Sequence, residues 1–295
     1  MNRGMVAGVG AYLVWGVLPV YWKTLEEVAA FEILAHRLVW SVLFLSLTIT
    51  VKRTWSHIVQ LERRVLARLL LTGLLLSVNW VTYIWGVNNG HIVETSLGYF
   101  INPLLNVVLG VMILRERLEP GQWLAVAIAT CGVVYMTVRV GSLPWIALVL
   151  AGTFGFYALL KKQTSSIGSI ESLGVEVSLV AIPALGYLGW LALDGSGSFA
   201  SSDPGVTAFL MLTGIATATP LVLFGIAAQS VKLSTIGILQ YIAPSLQFLI
   251  GVFVYSEEVT RDELIGFVLV WIALSVFTGH GMLRARHSCP EAVPA

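Results

Sequence analysis

Apolar residues in this chain come in unbroken runs of about 20, and that one feature restricts the fold more than any motif does. A helix of that length crosses roughly 30 Å of hydrocarbon, whereas a membrane strand would show about ten residues of alternating polarity. The runs here do not alternate. Inside hydrocarbon no water satisfies backbone N–H and C=O groups, so a chain that repeats such runs folds as a bundle of helices. Composition agrees, with 57% of the 295 residues hydrophobic and 11% charged, against about 25% charged in a soluble domain. The expected fold class is an all-α membrane protein.

Ten transmembrane helices are expected, near 4–22, 32–51, 69–88, 92–114, 121–138, 143–161, 171–193, 206–228, 233–256 and 262–283. The connections are too short to fold on their own, which places any activity within the bilayer. Arg3 ahead of the first run and Val28-Ala29-Ala30 behind it resemble a secretory signal. A 19-residue run exceeds the core of such a signal, so a retained helix is expected. With a cytoplasmic N-terminus, thirteen of the 17 Lys and Arg fall in inner segments and only Lys23, Arg139 and Arg261 in outer ones. Both termini are therefore expected in the cytoplasm. A net charge of +1 offers no field for nucleic acid, and two cysteines, Cys131 and Cys289, make no disulfide framework.

The two halves repeat. Adding 139 carries Trp15-Gly16 onto Phe154-Gly155, Lys23 onto Lys162, Glu32 onto Glu171 and Trp85-Gly86 onto Phe224-Gly225. Adding 141 carries Ile101 onto Ile242, Pro103 onto Pro244, Leu105 onto Leu246, Gly110 onto Gly251 and Glu116 onto Glu257. Five spans per half is an odd number, so the second half enters the membrane from the opposite side, the inverted arrangement of secondary transporters. The expected units are 1–140, 141–283 and a cytoplasmic tail, 284–295.

Tyr99-Phe100-Ile101-Asn102-Pro103-Leu104, then Gly110 and Leu114-Arg115-Glu116-Arg117-Leu118, resemble the fourth helix of the RarD family. These are the chloramphenicol-sensitive permeases of the EamA branch of the drug/metabolite transporter superfamily. Ala35-His36-Arg37, Asn79-Trp80, Trp85-Gly86-Val87-Asn88-Asn89, Leu233-Ser234-Thr235 and Gln240-Tyr241-Ile242 match the same family, so the likeness covers about residues 4–280. The resemblance implies a ten-helix inner-membrane carrier with two EamA domains and a central cavity lined chiefly by helices 1, 3, 4, 6, 8 and 9. Relatives in this superfamily export amino acids and other metabolites, which implies a small amphipathic substrate, drugs included, and the lipid bilayer as surroundings. Protons are a candidate coupling ion, and no oligomeric state is implied.

Polar residues inside the spans mark the candidate site. Thr95, Tyr99, Asn102 and Asn106 follow at steps of four, three and four on one helix face. Gln240, Pro244 and Gln247 make the matching face in the second half, and Asn79, Tyr83 and Gly86 a similar stripe on the third helix. Such stripes either line a cavity or supply interhelical hydrogen bonds. Trp15, Trp80 and Tyr241 complete the candidate substrate-binding set. A charge at mid-bilayer costs on the order of 2.5–3.5 kcal/mol, so Glu32, His36, Arg37 and Glu94 either gate and attract substrate or have local explanations. Arg37 could snorkel outward or pair with Glu94; Glu171 and Glu176 read as a matched inner gate or as solvated helix-end acids. Pro103 and Pro244 each remove a backbone donor, as hinges or as packing kinks.

No motif calls for an enzyme, a cofactor or a metal: H-E-x-x-H, G-x-S-x-G and the Walker loop do not occur. The expected function is alternating-access export by a secondary transporter, with a passive channel or facilitator as the other reading.

Overall fold

The computed structural model describes residues 3–89, 91–140, 145–164, 166–200, 203–256 and 261–287. Helices account for nearly all of them: α1 (Arg3–Lys23), α2 (Ala30–Lys52), α3 (Trp55–Val59), α4 (Arg63–Asn88), α5 (Ile92–Met112) and α6 (Pro120–Val140). The second half holds α7 (Trp145–Gln163), α8 (Ser169–Asp194), α9 (Pro204–Ser230), α10 (Leu233–Gln240), α11 (Ile242–Val254) and α12 (Arg261–His287). No strand occurs among the described residues. Eight stretches are long and apolar enough to cross a membrane, α10 and α11 counting together as Leu233–Val254, and shorter apolar stretches run over Leu97–Met112 and Leu264–His280.

Helix starts follow local chemistry. Asp203 caps α9 by accepting a hydrogen bond from the Gly205 N–H at 2.7 Å, with Pro204 in the first turn where a missing N–H does no harm. The expected ninth span, 233–256, breaks at Tyr241 into α10 and α11. Pro244 removes the N–H that would bond the Gln240 carbonyl, and the ring crowds that turn. Pro103 does the same to the Tyr99 carbonyl, yet α5 runs through it unbroken. α3 was not among the expected elements; five residues fall below the length that an apolar run can reveal.

α1 packs on α9 and α11, α2 on α8 and α9, α4 on α7 and α8, α5 on α7 and α10, and α6 on α12. Two glycines permit the closest approaches. A Cβ on Gly237 would strike the Pro103 carbonyl, and one on Gly214 would strike the Trp40 backbone, so α10 lies against α5 and α9 against α2 with main chains nearly touching. Ser41 donates to the Gly214 carbonyl at 3.1 Å across the second contact. The main core gathers Tyr12, Leu38, Tyr157, Leu173 and Phe224. A separate one, around Phe100, Tyr241 and Phe267, ties α6 and α12 to α5 and α10. Leu43, Leu47, Leu74, Ile182 and Leu193 stay exposed, as lipid-facing side chains must.

Candidate functional site

A cavity of about 480 Å³ lies among α1, α2, α4, α5, α7, α9, α10 and α11, a volume typical of a small-molecule site. Its lining reaches Trp22 and Ala30, where α1 turns into α2, and stops at Tyr12. At 1.5 Å per residue these levels lie about 15 Å apart along α1.

Near the α1–α2 end the lining is aromatic around one cation. The Arg37 guanidinium carbon sits 4.8 Å from the centre of the Trp22 ring and 5.4 Å from that of Trp80. Its Nε donates to the Thr217 hydroxyl at 3.0 Å, and among the described residues no carboxylate pairs with it. Among the described residues Arg37 is thus held by cation–π contact and one hydrogen bond; the Glu94 side chain, the partner expected for it, lies outside the described residues, as do Glu257 and Cys289. Tyr83 and Tyr99 meet edge to face across the wall, centroids 6.0 Å apart.

Amides furnish the middle. Asn79 donates to the Leu150 carbonyl and to the Thr153 hydroxyl, both at 2.9 Å, which fixes α4 against α7. Asn106 donates to Asn102 Oδ1 at 3.2 Å and to Gln240 Oε1 at 3.0 Å. Both amide hydrogens of Asn106 are thereby spent, and the Asn102 and Gln240 oxygens each accept one of them. Asn102 and Gln240 line the cavity, and their NH₂ groups have no hydrogen-bond partner among the described residues. Gln247 donates to the Trp15 carbonyl at 3.1 Å.

Beyond the cavity the bundle is sealed. Trp15 meets Phe154 at 6.1 Å, Tyr12 meets Phe224 at 6.3 Å, and Phe224 stacks on Tyr157 at 5.8 Å. Behind these rings Lys161 Nζ sits 2.8 Å from Glu176 Oε1, both side chains fully buried. Ser172 accepts from Lys161 at 2.6 Å and donates to Glu176 at 2.9 Å. The reading of Glu171 and Glu176 as solvated helix-end acids is therefore corrected. Both are buried: Glu176 is reached by Lys161 from the last turn of α7, and Glu171, in the first turn of α8, folds its carboxylate back against Gly168.

Of the expected substrate-binding residues, Trp15, Asn79, Trp80, Tyr83, Tyr99, Asn102 and Gln240 line the cavity, together with Pro244 and Arg37. Tyr241 does not: it is fully buried and donates to the Phe100 carbonyl at 3.1 Å. Pro103 is buried in α5 against α10. Glu32 and His36 stand apart too. Glu32 accepts from the Ser198 N–H at 2.6 Å, the Phe199 N–H at 3.2 Å and the Ser198 hydroxyl at 3.1 Å, holding the α8–α9 connection. His36 accepts from the Trp40 indole at 3.2 Å and lies 3.9 Å from Glu32. Sequence reasoning missed Trp22, Phe154 and Thr217. A tryptophan at a helix end reads as an interface anchor, so only the fold reveals that Trp22 faces inward.

Comparison with known proteins agrees with the bundle. The model of the EamA-like transporter family matches residues 2–138. A protein RarD of Streptomyces exfoliatus is 45% identical over 97% of this chain and 91% of its own length. An uncharacterized transporter of Vibrio cholerae is 42% identical over 99% of this chain and 96% of its own. For the protein RarD of Escherichia coli the figures are 40%, 97% and 97%. A solved crystal structure superposes with a TM-score of 0.72 at 17% identity over 95% of this chain and 99% of that one, a likeness of fold.

Proposed function

This chain belongs to the EamA-like transporter family, among its RarD-type permeases, and from that premise we propose that it is a ten-span, alternating-access exporter of small amphipathic metabolites. The observation that carries the reading is a cavity between the two halves of the chain that reaches one end of the bundle and is sealed at the other. A carrier needs such a site between two gates.

The packing supports inverted repeats. A Cβ on Gly16 would meet Leu246 at 2.8 Å, and one on Gly155 would meet Leu105 at 3.0 Å; these are one contact seen twice, by offsets of 139 and 141. Likewise Gly8 meets Leu239 at 3.2 Å and Gly98 meets Ala147 at 3.3 Å. The pairs Trp15–Phe154 and Phe100–Tyr241 each map onto themselves, as residues on a two-fold axis do. α1 on α9 corresponds to α7 on α4, and α2 on α9 to α8 on α4. The end of the family match at 138 agrees with a first unit of 1–140. Within that frame Tyr99 and Gln240, four residues before Pro103 and Pro244, are equivalent positions on the cavity wall. We assign them to substrate contact, and the two prolines to hinges.

The distribution of Lys and Arg supports cytoplasmic termini and a cavity reaching the periplasmic face. Reporters fused at Arg64 and at the C-terminus should read cytoplasmic, and one in the 195–202 loop periplasmic. A periplasmic C-terminus would contradict the topology. The carrier itself is tested in proteoliposomes with a labelled amino-acid panel, with and without a pH gradient. Saturable flux with counterflow is expected, and flux that rises linearly without counterflow would mean a channel.

A further inference from the structure

Resting on the carrier reading, we propose that the cavity selects small aromatic carboxylates, the carboxylate on Arg37, and that it needs no ammonium group on the ligand. Arg37 is the sole charged side chain of the described cavity lining. Its Nε is committed to Thr217, and Trp22 and Trp80 lie over the guanidinium. The edge bearing the two terminal nitrogens makes no hydrogen bond among the described residues. That edge is a fork of parallel N–H donors, the geometry that fits both oxygens of a carboxylate. A bound carboxylate would also neutralise a cation held where water is scarce.

The rest of the wall says what the carboxylate is attached to. Tyr83 and Tyr99 flank the cation side, and Trp15 and Phe154 close the deep end, leaving ring faces and edges for an aromatic body. At mid-depth Asn102 and Gln240 offer NH₂ groups with no partner among the described residues, while each oxygen already accepts one hydrogen bond from Asn106. Donors suit an oxygen acceptor on the ligand, whereas an ammonium would meet the like charge of Arg37. No described carboxylate lines the cavity. A phosphate dianion would call for a second cation, which the described lining also omits.

The test uses the full-length protein in lipid nanodiscs and four probes of one skeleton: 3-phenylpropionate, 3-phenylpropionamide, 2-phenylethylamine and L-phenylalanine. Calorimetric titration should find 3-phenylpropionate bound about tenfold or more tighter than the amide and the amine, and at least as tightly as phenylalanine. Arg37→Gln should erase the preference, and Arg37→Lys should retain part of it. Binding of amide or amine within about twofold of the acid would overturn the proposal without any variant having to fold. Counterflow of labelled 3-phenylpropionate in proteoliposomes separates the two claims. Acid-selective binding without counterflow would overturn the carrier and leave the preference standing. Counterflow of the amine as fast as that of the acid would overturn the preference and leave the carrier.

Discussion

Trp22 and Arg37 at one end of the cavity stand 139 residues before Lys161 and Glu176 at the other, so equivalent places in the two halves carry different chemistry. At the α1–α2 end a cation rests over aromatic rings, beside a cavity. At the sealed end a cation and a carboxylate touch at 2.8 Å with no exposure at all. Uncovering a guanidinium from a ring costs about 0.5–2 kcal/mol, whereas parting a buried ion pair strands two charges. The difference teaches which end is latched. On the carrier reading, one end would admit a ligand without breaking a strong contact, and the other would open only when something compensates for the lost pair.

The largest expected effect follows from that latch. Lys161→Met alone leaves Glu176 buried and unpaired and should destabilise the protein by about 3–5 kcal/mol, read as a lower Tm in nanodiscs and lower membrane abundance. Lys161→Met combined with Glu176→Gln should recover most of the loss, since neither charge is then stranded. A single variant as stable as the parent would remove the contrast between the ends.

Next come the mirrored helix contacts. Gly16→Val and Gly155→Val each push a side chain into a leucine, Leu246 or Leu105, and should cost about 1–3 kcal/mol apiece. Thermal unfolding should rank them together; one variant matching the parent while the other fails to fold would break the equivalence of the halves.

Changes at the open end should spare the fold. Arg37→Ala should raise the KM for transport by about tenfold, Arg37→Lys by less, with membrane abundance nearly unchanged. Equal, parental transport by both variants would reduce Arg37 to a snorkelling side chain. The smallest effect is Tyr241→Phe, which removes one interhelical hydrogen bond worth about 0.6 kcal/mol and should leave substrate affinity alone. Tyr99→Phe, on the cavity wall, should instead change affinity or preference without loss of protein. Reversal of that order would mean the cavity wall is misassigned.

Helix positions were legible because hydrocarbon thickness dictates them: α1, α2 and α7 to α9 begin and end within about two residues of the expected spans. The break at Tyr241 was not, since Pro103 and Pro244 have the same local sequence signal and only one interrupts its helix. The polar stripe on α5 was readable for an equally plain reason. Amides inside a membrane face a partner or a cavity, and Asn102 faces both. Contacts between distant helices were beyond reach. Nothing local distinguishes Lys161, which pairs with Glu176, from Lys162, which donates to the Ala228 and Val231 carbonyls. Trp22 and Thr217 join Arg37 only because α1, α2 and α9 converge.

The central claim, that the two ends open in turn, is tested most directly by thiol accessibility at one mirrored pair, Ile33 and Ser172, 139 residues apart. Ile33 lines the cavity and Ser172 is buried beside Lys161. With Cys131 and Cys289 replaced by Ala, Ile33→Cys should react with a small polar thiol reagent and Ser172→Cys should not. Adding Lys161→Met alone, which leaves Glu176 without its counter-charge at the sealed end, should shift the pattern, protecting Ile33→Cys and exposing Ser172→Cys. Simultaneous reaction of both positions in one molecule would contradict alternating access, and a pattern unchanged by Lys161→Met would contradict the latch.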